Sequence, residues 1–343
     1  MLSTQQPILR RFWYPVMPAT QLADGKPHAF TLLGEAIVLW QSAEGGVHCL
    51  KDRCCHRTAK LSLGFVEGDR IVCGYHGWTF EGGGACVRIP QLAADRAVPA
   101  NYCVPAYRAA LRYGYVWVAL GEPLIDIPEL PEAGRPGYRQ VDQFYEVWKI
   151  GALRLMENSF DAAHIAYVHR GTFGNMRRPE VAAPEIEAHP YGLTMRVSSR
   201  VVVRDDEARH AVGAEGGETT RDMESVWFMP FVRRSRIRYP HGLEHVIITC
   251  ATPIDDQQSM VVQWAYRNDT EADVSSADVI AFDREITLED KLILESCEAD
   301  VPLAVVDGEE MHMPTDRPGL AMRRALKALL EAHGETEQRL VRA

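Results

Sequence analysis

The chain reads as an α+β protein, an all-β domain followed by an antiparallel sheet that carries long helices. Three observations predict this. From about Phe12 to Leu120, short apolar runs alternate with Gly, Pro and Asp turns, the pattern of half-buried strands. Pro123, Pro128, Pro131 and Pro136 then mark a linker. Beyond it, strand-like runs are interspersed with segments of 3–4 apolar spacing, the signature of helices packed on a sheet. The domains are therefore expected at 1–135 and 136–343.

In the first domain the strands fall at Phe30–Leu33, Ala36–Trp40, Val47–Lys51, Ile71–Cys73 and Tyr115–Leu120. Trp78–Phe80 and Ala85–Ile89 form a hairpin around Glu81-Gly82-Gly83-Gly84, whose glycines supply the turn. The second domain opens with a helical segment, Leu153–Val168. Strands follow at Leu193–Val203, Met223–Phe228, Arg233–Tyr239, His245–Thr252 and Met260–Tyr266. Arg204–Arg221, rich in Gly and charge, reads as a loop. Val279–Ala299 is a long helix. Pro318–Ala332 is another, with its proline at the first turn, where a missing N–H costs nothing.

With 343 residues the chain has room for two cores. A net charge of -10 argues against nucleic acid or an anionic membrane as partner, since both require a basic face. Arg10-Arg11 interrupts the apolar residues near the N-terminus, so no signal-peptide pattern is present, and no apolar run approaches the ~20 residues that span a bilayer. The eight cysteines are then expected to be reduced thiols in the cytoplasm. Cys49, Cys86, Cys103, Cys250 and Cys297 read as scattered core residues.

Two short motifs carry the chemistry: Cys54-Cys55-His56 and Cys73-Gly74-Tyr75-His76, sixteen residues apart. Each loop offers one thiolate and one imidazole. That is the donor set of a Rieske [2Fe–2S] centre, in which one iron takes two Cys and the other two His. A structural zinc site also accepts Cys2His2, but its usual spacing pairs Cys with Cys and His with His. High-potential Rieske proteins add a disulfide between their two loops. Here Cys55 has no counterpart in Gly74-Tyr75, so the lower-potential oxygenase or ferredoxin type is expected.

Asn158, Asp161, His164 and His169 lie on the first helical segment of the second domain. Asp161 and His164 are three apart and share a face, whereas His164 and His169, five apart, diverge by roughly 140° on a regular helix. Both can reach one metal only if the helix ends or bulges between them. Two His and a carboxylate form the facial triad of non-haem Fe(II) oxygenases. The carboxylate is sought on the helix near 290, where Val279, Phe282, Ile286, Ile293 and Cys297 make an apolar stripe. Asp290 falls on that stripe, where an acid is costly unless paired or metal-bound. Glu289, about 100° round, is expected to face out.

Together these motifs resemble the Rieske non-haem iron oxygenases, in particular their terminal oxygenase component. The resemblance runs nearly end to end. It covers Phe12-Trp13-Tyr14-Pro15-Val16, the two Cys/His loops, Asn158-x2-Asp161-x2-His164-x4-His169 and Glu289-Asp290-Lys291. Within the family the chain is most similar to one-subunit-type monooxygenases: caffeine N-demethylases, dicamba and vanillate O-demethylases, and saxitoxin-pathway hydroxylases. Met229-Pro230-Phe231 is similar to the methylxanthine enzymes.

The resemblance implies a helix-grip catalytic domain and a head-to-tail homotrimer. In it, Cys54, His56, Cys73 and His76 hold the cluster, and His164, His169 and Asp290 hold Fe(II). It places Asp161 between a neighbour's cluster histidine and His164, with Asn158 near the iron. Electrons are expected from a separate NAD(P)H-dependent reductase or ferredoxin, since Gly82-Gly83-Gly84 precedes a strand and gives no dinucleotide fingerprint. The implied reaction uses O2 to hydroxylate, or to N- or O-demethylate, a small aromatic or heteroaromatic substrate. Three other readings are a cis-dihydroxylating dioxygenase, an electron carrier without oxygen chemistry, and a zinc-stapled binding protein.

Trp227, Phe228, Met229, Phe231, Thr249 and Trp264 are candidate pocket residues, with ordinary sheet core as the alternative. Arg234, Arg236 and Arg238 alternate on one strand face. A solvated or acidic-partner surface is favoured for them over contact with a carboxylate or sulfonate substrate.

Overall fold

The structure, a computed structural model, describes residues 1–93, 95–202, 218–305 and 309–340. It divides into two compact units, one of Leu9–Ile127 and one of Pro128–Ala343 together with Met1–Ile8. The boundary expected at 135/136 is thus set against a division at 127/128. The first eight residues join the second unit because the Met1 amine pairs with Asp300 and Leu2 N–H donates to the Gln338 carbonyl at 2.8 Å.

The first unit contains ten strands: β1 (Tyr14–Pro18), β2 (His28–Leu32), β3 (Glu35–Gln41), β4 (Val47–Lys51), β5 (Phe65–Glu67), β6 (Arg70–Val72), β7 (Thr79–Phe80), β8 (Cys86–Arg88), β9 (Ala106–Arg112) and β10 (Tyr115–Ala119). They form a six-stranded sheet in the order β1-β10-β9-β4-β3-β2 and a smaller sheet β5-β6-β7-β8. A core of Val38, Trp40, Leu50, Ile71, Trp78 and Phe80 includes the buried Cys54 and Cys73. The expected β7–β8 hairpin is present, and Gly84 turns it at φ +88°.

The second unit is a seven-stranded antiparallel sheet built from β11 (Arg139–Trp148), β12 (Glu185–His189), β13 (Gly192–Val202), β14 (Glu218–Phe228), β15 (Val232–Arg238), β16 (Glu244–Pro253) and β17 (Ser259–Arg267). Its order, β11-β17-β16-β15-β14-β13-β12, places the first strand beside the last. Helices α1 (Ala152–Ser159), α2 (Ile165–Val168), α3 (Ser276–Leu294) and α4 (Arg317–Ala332) complete it. Helix α3 is capped by Ser275, whose hydroxyl accepts from Asp278 N–H. It seats Val279 against Val141 and Val274, and Phe282 against Ile237 and Tyr239. This is the helix-grip arrangement.

Several expectations need correction. The helix expected over Leu153–Val168 is two helices, α1 and α2, broken at 160–164. Most of the Arg204–Arg221 loop lies outside the described residues, and its last four positions belong to β14. Helix α3 ends at Leu294, short of Ala299, and Ile293 and Cys297 are exposed, so the apolar stripe is buried only at its start. Cys103 is also exposed, whereas Cys49, Cys86 and Cys250 are buried as expected.

Helix α4 is tied to α1 through charge. Arg323, buried in α4, pairs with Glu157 of α1 and, at 2.6 Å, with Glu310. Arg154 of α1 donates to both acids. This buried cluster fixes the helix that carries Asn158.

Candidate active site

In the first unit, the two Cys/His loops meet backbone to backbone. A Cβ on Gly64 would lie 1.9 Å from the Val72 carbonyl oxygen, and one on Gly74 would lie 2.7 Å from that of Leu63. Each loop is a tight turn. Thr58 N–H donates to the Cys54 carbonyl at 3.1 Å, and Gly77 N–H to that of Cys73 at 2.9 Å. The sulfurs of Cys54 and Cys73 are buried, whereas His56 is exposed and His76 half-buried. The two imidazoles lie 4.5 Å apart, centroid to centroid, and His56 stacks on Trp78 at 4.4 Å. Burial pushes the Cys54 thiol up to about 12. A thiol in such a place loses its proton readily only to a metal, whose charge replaces the missing solvent.

In the second unit, His164 is the N-cap of α2 and His169 its C-cap, and the helix ends between them at Val168, where His169 leaves helical geometry at φ -91° and ψ 26°. This solves the spacing problem that a continuous helix would pose. The two Nε2 atoms lie 3.3 Å apart, and Asp290 Oδ1 of α3 lies 3.4 Å from one and 3.5 Å from the other. One ligand atom from each of the three residues falls within 4.8 Å of the others. His169 Nδ1 lies 2.9 Å from Glu289 Oε2, which also accepts from the Thr172 hydroxyl at 2.9 Å. Contrary to expectation, Glu289 faces inward. With Nδ1–H donated to Glu289, the Nε2 of His169 presents a lone pair toward Asp290.

Burial holds His169 down to about 3, with His164 and Arg221 adding to the effect. Burial also raises the carboxyls of Asp290 and Glu289. The lone pair of the neutral His169 imidazole, directed at a buried carboxylate, is repelled unless a cation lies between them. The donor set therefore fits a divalent metal in a three-ligand facial arrangement.

Asn158 Nδ2 donates to Asp290 Oδ1 at 3.1 Å, which aims the carboxylate. Asp161 Oδ2 lies 3.5 Å from His164 Nδ1 and keeps a third of its side chain exposed. Burial alone would raise the Asp161 carboxyl, but His164 and the backbone N–H groups of Ala163 and His164 together hold the group below its ordinary range.

The triad opens into a cavity between α3 and the concave face of the sheet. Strand alternation decides what reaches it. Arg221, Met223, Arg233, Ile237, Thr249 and Gln263, all at odd positions, line the cavity. Of the six apolar candidates, Thr249 alone does so. Trp264 pairs with Ile248, not Thr249, and so faces the opposite side. Phe228 pairs with Val232 on that same outer side. Trp227 is wholly buried, its indole N–H donated to the Pro230 carbonyl, and Met229 and Phe231 are buried in the turn after β14. Arg234, Arg236 and Arg238 also face out. They pair with Glu132, Glu224 and Glu244 respectively.

A polar chain crosses the cavity floor. Thr249 donates to Gln263 Oε1 at 2.9 Å, and Gln263 Nε2 to Gln143 Oε1 at 2.9 Å. Gln143 donates in turn to the buried Asp283, whose Oδ2 lies 3.1 Å from His245 Nε2. None of Gln143, Gln263, His245 or Asp283 stands out in the sequence, because their partners are far apart along the chain.

Residues 12–108 match the family model of the Rieske [2Fe-2S] domain. Residues 148–332, more than half of the chain, match that of the vanillate O-demethylase oxygenase C-terminal domain. The chain belongs to the Rieske oxygenases. This Rieske oxygenase is 29% identical over 347 residues to methylxanthine N1-demethylase of Pseudomonas putida, covering 98% of this chain and 94% of that protein. It is 30% identical over 239 residues to the iron-sulfur subunit of a toluene-4-sulfonate monooxygenase system of Comamonas testosteroni, covering 66% and 65% respectively. A solved structure of a mutant of the Pseudomonas putida N1-demethylase with theobromine superposes with a TM-score of 0.83 at 27% identity, covering 96% and 92%.

The oxygenase is an oxidoreductase with a Rieske [2Fe–2S] domain, and its catalytic domain implies a mononuclear iron. The electron-carrier and zinc-stapled readings therefore fall away. Among the described residues, no helix is long and apolar enough to cross a membrane.

Proposed function

We propose that this Rieske oxygenase is the terminal component of a multi-component monooxygenase that hydroxylates or oxidatively demethylates a small aromatic or heteroaromatic compound. In this reading Cys54, His56, Cys73 and His76 hold the cluster, and His164, His169 and Asp290 hold Fe(II). A separate reductase or ferredoxin in the cytoplasm supplies electrons. The working unit is a homotrimer, in which Asp161 accepts from a cluster histidine of a neighbouring copy and relays to His164. The partly exposed carboxylate of Asp161 beside His164 supports that role.

When bound, the two metal centres deliver electrons singly and activate O2, so that a methyl group on N or O becomes a hydroxymethyl group lost as formaldehyde. The chain's own residues prepare the site for this. Glu289 keeps the His169 proton on Nδ1 and leaves Nε2 free to ligate. Asn158 holds one Asp290 oxygen, and the aromatic and aliphatic walls exclude water. The polar chain from Thr249 to Asp283 presents hydrogen-bonding groups that orient a ring against the triad.

The observation that carries this reading is the convergence of His164, His169 and Asp290 on one point at the wall of a ring-sized cavity. Anaerobic single turnover tests it. Reduced protein is mixed with N-methylpurines, methoxybenzoates and unmethylated heteroaromatics, then exposed to labelled O2. Formaldehyde release establishes demethylation, and one labelled oxygen on the product establishes hydroxylation. Incorporation of two labelled oxygens into a ring, or no oxidised product from reduced holoenzyme, overturns the monooxygenase reading.

A further inference from the structure

The cavity holds two arginines that no sequence pattern singled out, Arg221 on β14 and Arg233 on β15. The Nε of each is buried without a hydrogen-bond partner among the described residues. Neither forms a close ion pair among those residues, although Arg221 is hydrogen-bonded to the Tyr239 hydroxyl and Arg233 is attracted by the Asp290 carboxylate, whereas Arg234, Arg236 and Arg238 on the opposite face are all ion-paired. The cavity's nearest carboxylates are already engaged. Asp290 accepts from Asn158 and faces the two imidazoles, and Asp283 accepts from Gln143 and faces His245.

A buried guanidinium without a counter-ion is expensive, and two in one cavity repel each other. Such a pair is retained where an anion completes it. Its placement suits a substrate: the Arg221 guanidinium lies 4.5 Å over the Phe173 ring, which itself stacks 4.8 Å from His169. The Phe173 ring therefore fills the space between Arg221 and the triad histidine, and an arene joining the two must lie in the cavity beside Phe173, with its anionic substituent toward Arg221. Arg233 approaches from the neighbouring strand, on the Asp290 side. Planar forks on two sides can engage a carboxylate or sulfonate through several oxygens at once.

We infer that Arg221 and Arg233 form an oxyanion clamp, and that the substrate is an aromatic acid whose carboxylate or sulfonate they hold while its oxidisable carbon faces the triad. This rests on the oxygenase reading and narrows its substrate to anions. Burial lowers Arg233 to about 10, which still leaves it charged at neutral pH.

Calorimetric titration of the reduced, oxygen-free holoenzyme with benzoate, benzenesulfonate and benzamide tests the clamp. The two anions are expected to bind competitively and benzamide far more weakly. Arg221→Gln and Arg233→Gln are each expected to weaken the anions about thirtyfold or more, the scale for removing one member of a buried charge pair. Arg→Lys at either position is expected to recover part of the loss. Arg236→Gln, on the outer face of the same strand, should leave anion binding unchanged. Melting curves and iron content establish that each variant is folded.

The inference is overturned if benzamide binds as well as benzoate, if none of the three binds at millimolar concentration, or if folded Arg221→Gln and Arg233→Gln proteins bind benzoate like the parent. Preferred oxidation of a neutral N-methylpurine over methoxybenzoates would overturn the clamp and leave the oxygenase standing. Tight, arginine-dependent binding of anions with no oxidised product from any compound would do the reverse.

Discussion

Glu289 Oε2 lies 2.9 Å from His169 Nδ1, so adjacent residues of α3 reach the two nitrogens of one imidazole: Asp290 faces its Nε2, and Glu289 holds its Nδ1. Removing such an outer carboxylate typically costs about 10- to 100-fold in metal affinity. Glu289→Ala is expected to lose mononuclear iron to a chelator at that lower threshold, and Glu289→Gln, which keeps a hydrogen-bond acceptor, to lose less. Metal analysis after graded dialysis decides it, and parental retention of iron by Glu289→Ala would refute it.

Asp290→Ala should remove the mononuclear iron and leave the cluster, because the two donor sets belong to different compact units. The check is iron analysis beside the visible spectrum. An unchanged iron content with full turnover would exclude Asp290 as a ligand.

Gly64→Ala should act on the cluster. Its Cβ would need to displace the Val72 carbonyl, which is backbone and cannot swing aside. A penalty above about 3 kcal/mol is expected, a size associated with core strain. The purified variant should be pale and melt early. A normally coloured protein with the parental Tm would show that the loops can separate.

The candidate metal sites were legible in the sequence because the Cys/His pairs and the His164/His169 pair come in short spacings that little else explains, and Asp290 because an acid interrupts an apolar stripe. The sequence also placed most strands. The end of α2 at Val168 was a condition of the triad before it was a feature of the fold, since on a continued helix His164 and His169 could not meet. Glu289 was misread because a helical wheel assigns one inward direction. Here Asp290 and the longer Glu289 reach either side of His169. The cavity arginines were hidden for another reason. Val232–Arg238 carries arginine at both even and odd positions, and only pairing with β14 and β16 fixes which set points inward.

Thr249→Val breaks the polar chain at its first link and leaves the Gln263 carbonyl without its donor, at a cost of about 1–3 kcal/mol. The variant should melt lower and bind substrate more weakly, while its iron content is retained. A parental Tm would mean that Gln263 finds another donor.

The α1–α4 charge cluster gives a pH signature. Burial alone would raise the Glu310 carboxyl, but Arg154 and Arg323 hold it below its ordinary 4.5. A carboxyl that is more acidic folded than unfolded stabilises the fold fully above its unfolded pKa, and that stabilisation fades as pH falls through the folded value. Glu310→Gln should therefore melt below the parent at neutral pH and show a shallower decline in acid, the two curves converging. Melting curves across that range provide the test, and a constant gap down to strong acid would contradict it.

The alternation of the seven-stranded sheet has a wider consequence. Odd positions of β14–β17 face the chemistry, whereas the even positions of β15 carry ion-paired arginines and those of β16 and β17 a buried core of Val246, Ile248, Val262 and Trp264. Cavity shape and outer-face charge are therefore written in different residues of the same strand: on β15, Arg233 and Ile237 belong to the one, and Arg234, Arg236 and Arg238 to the other.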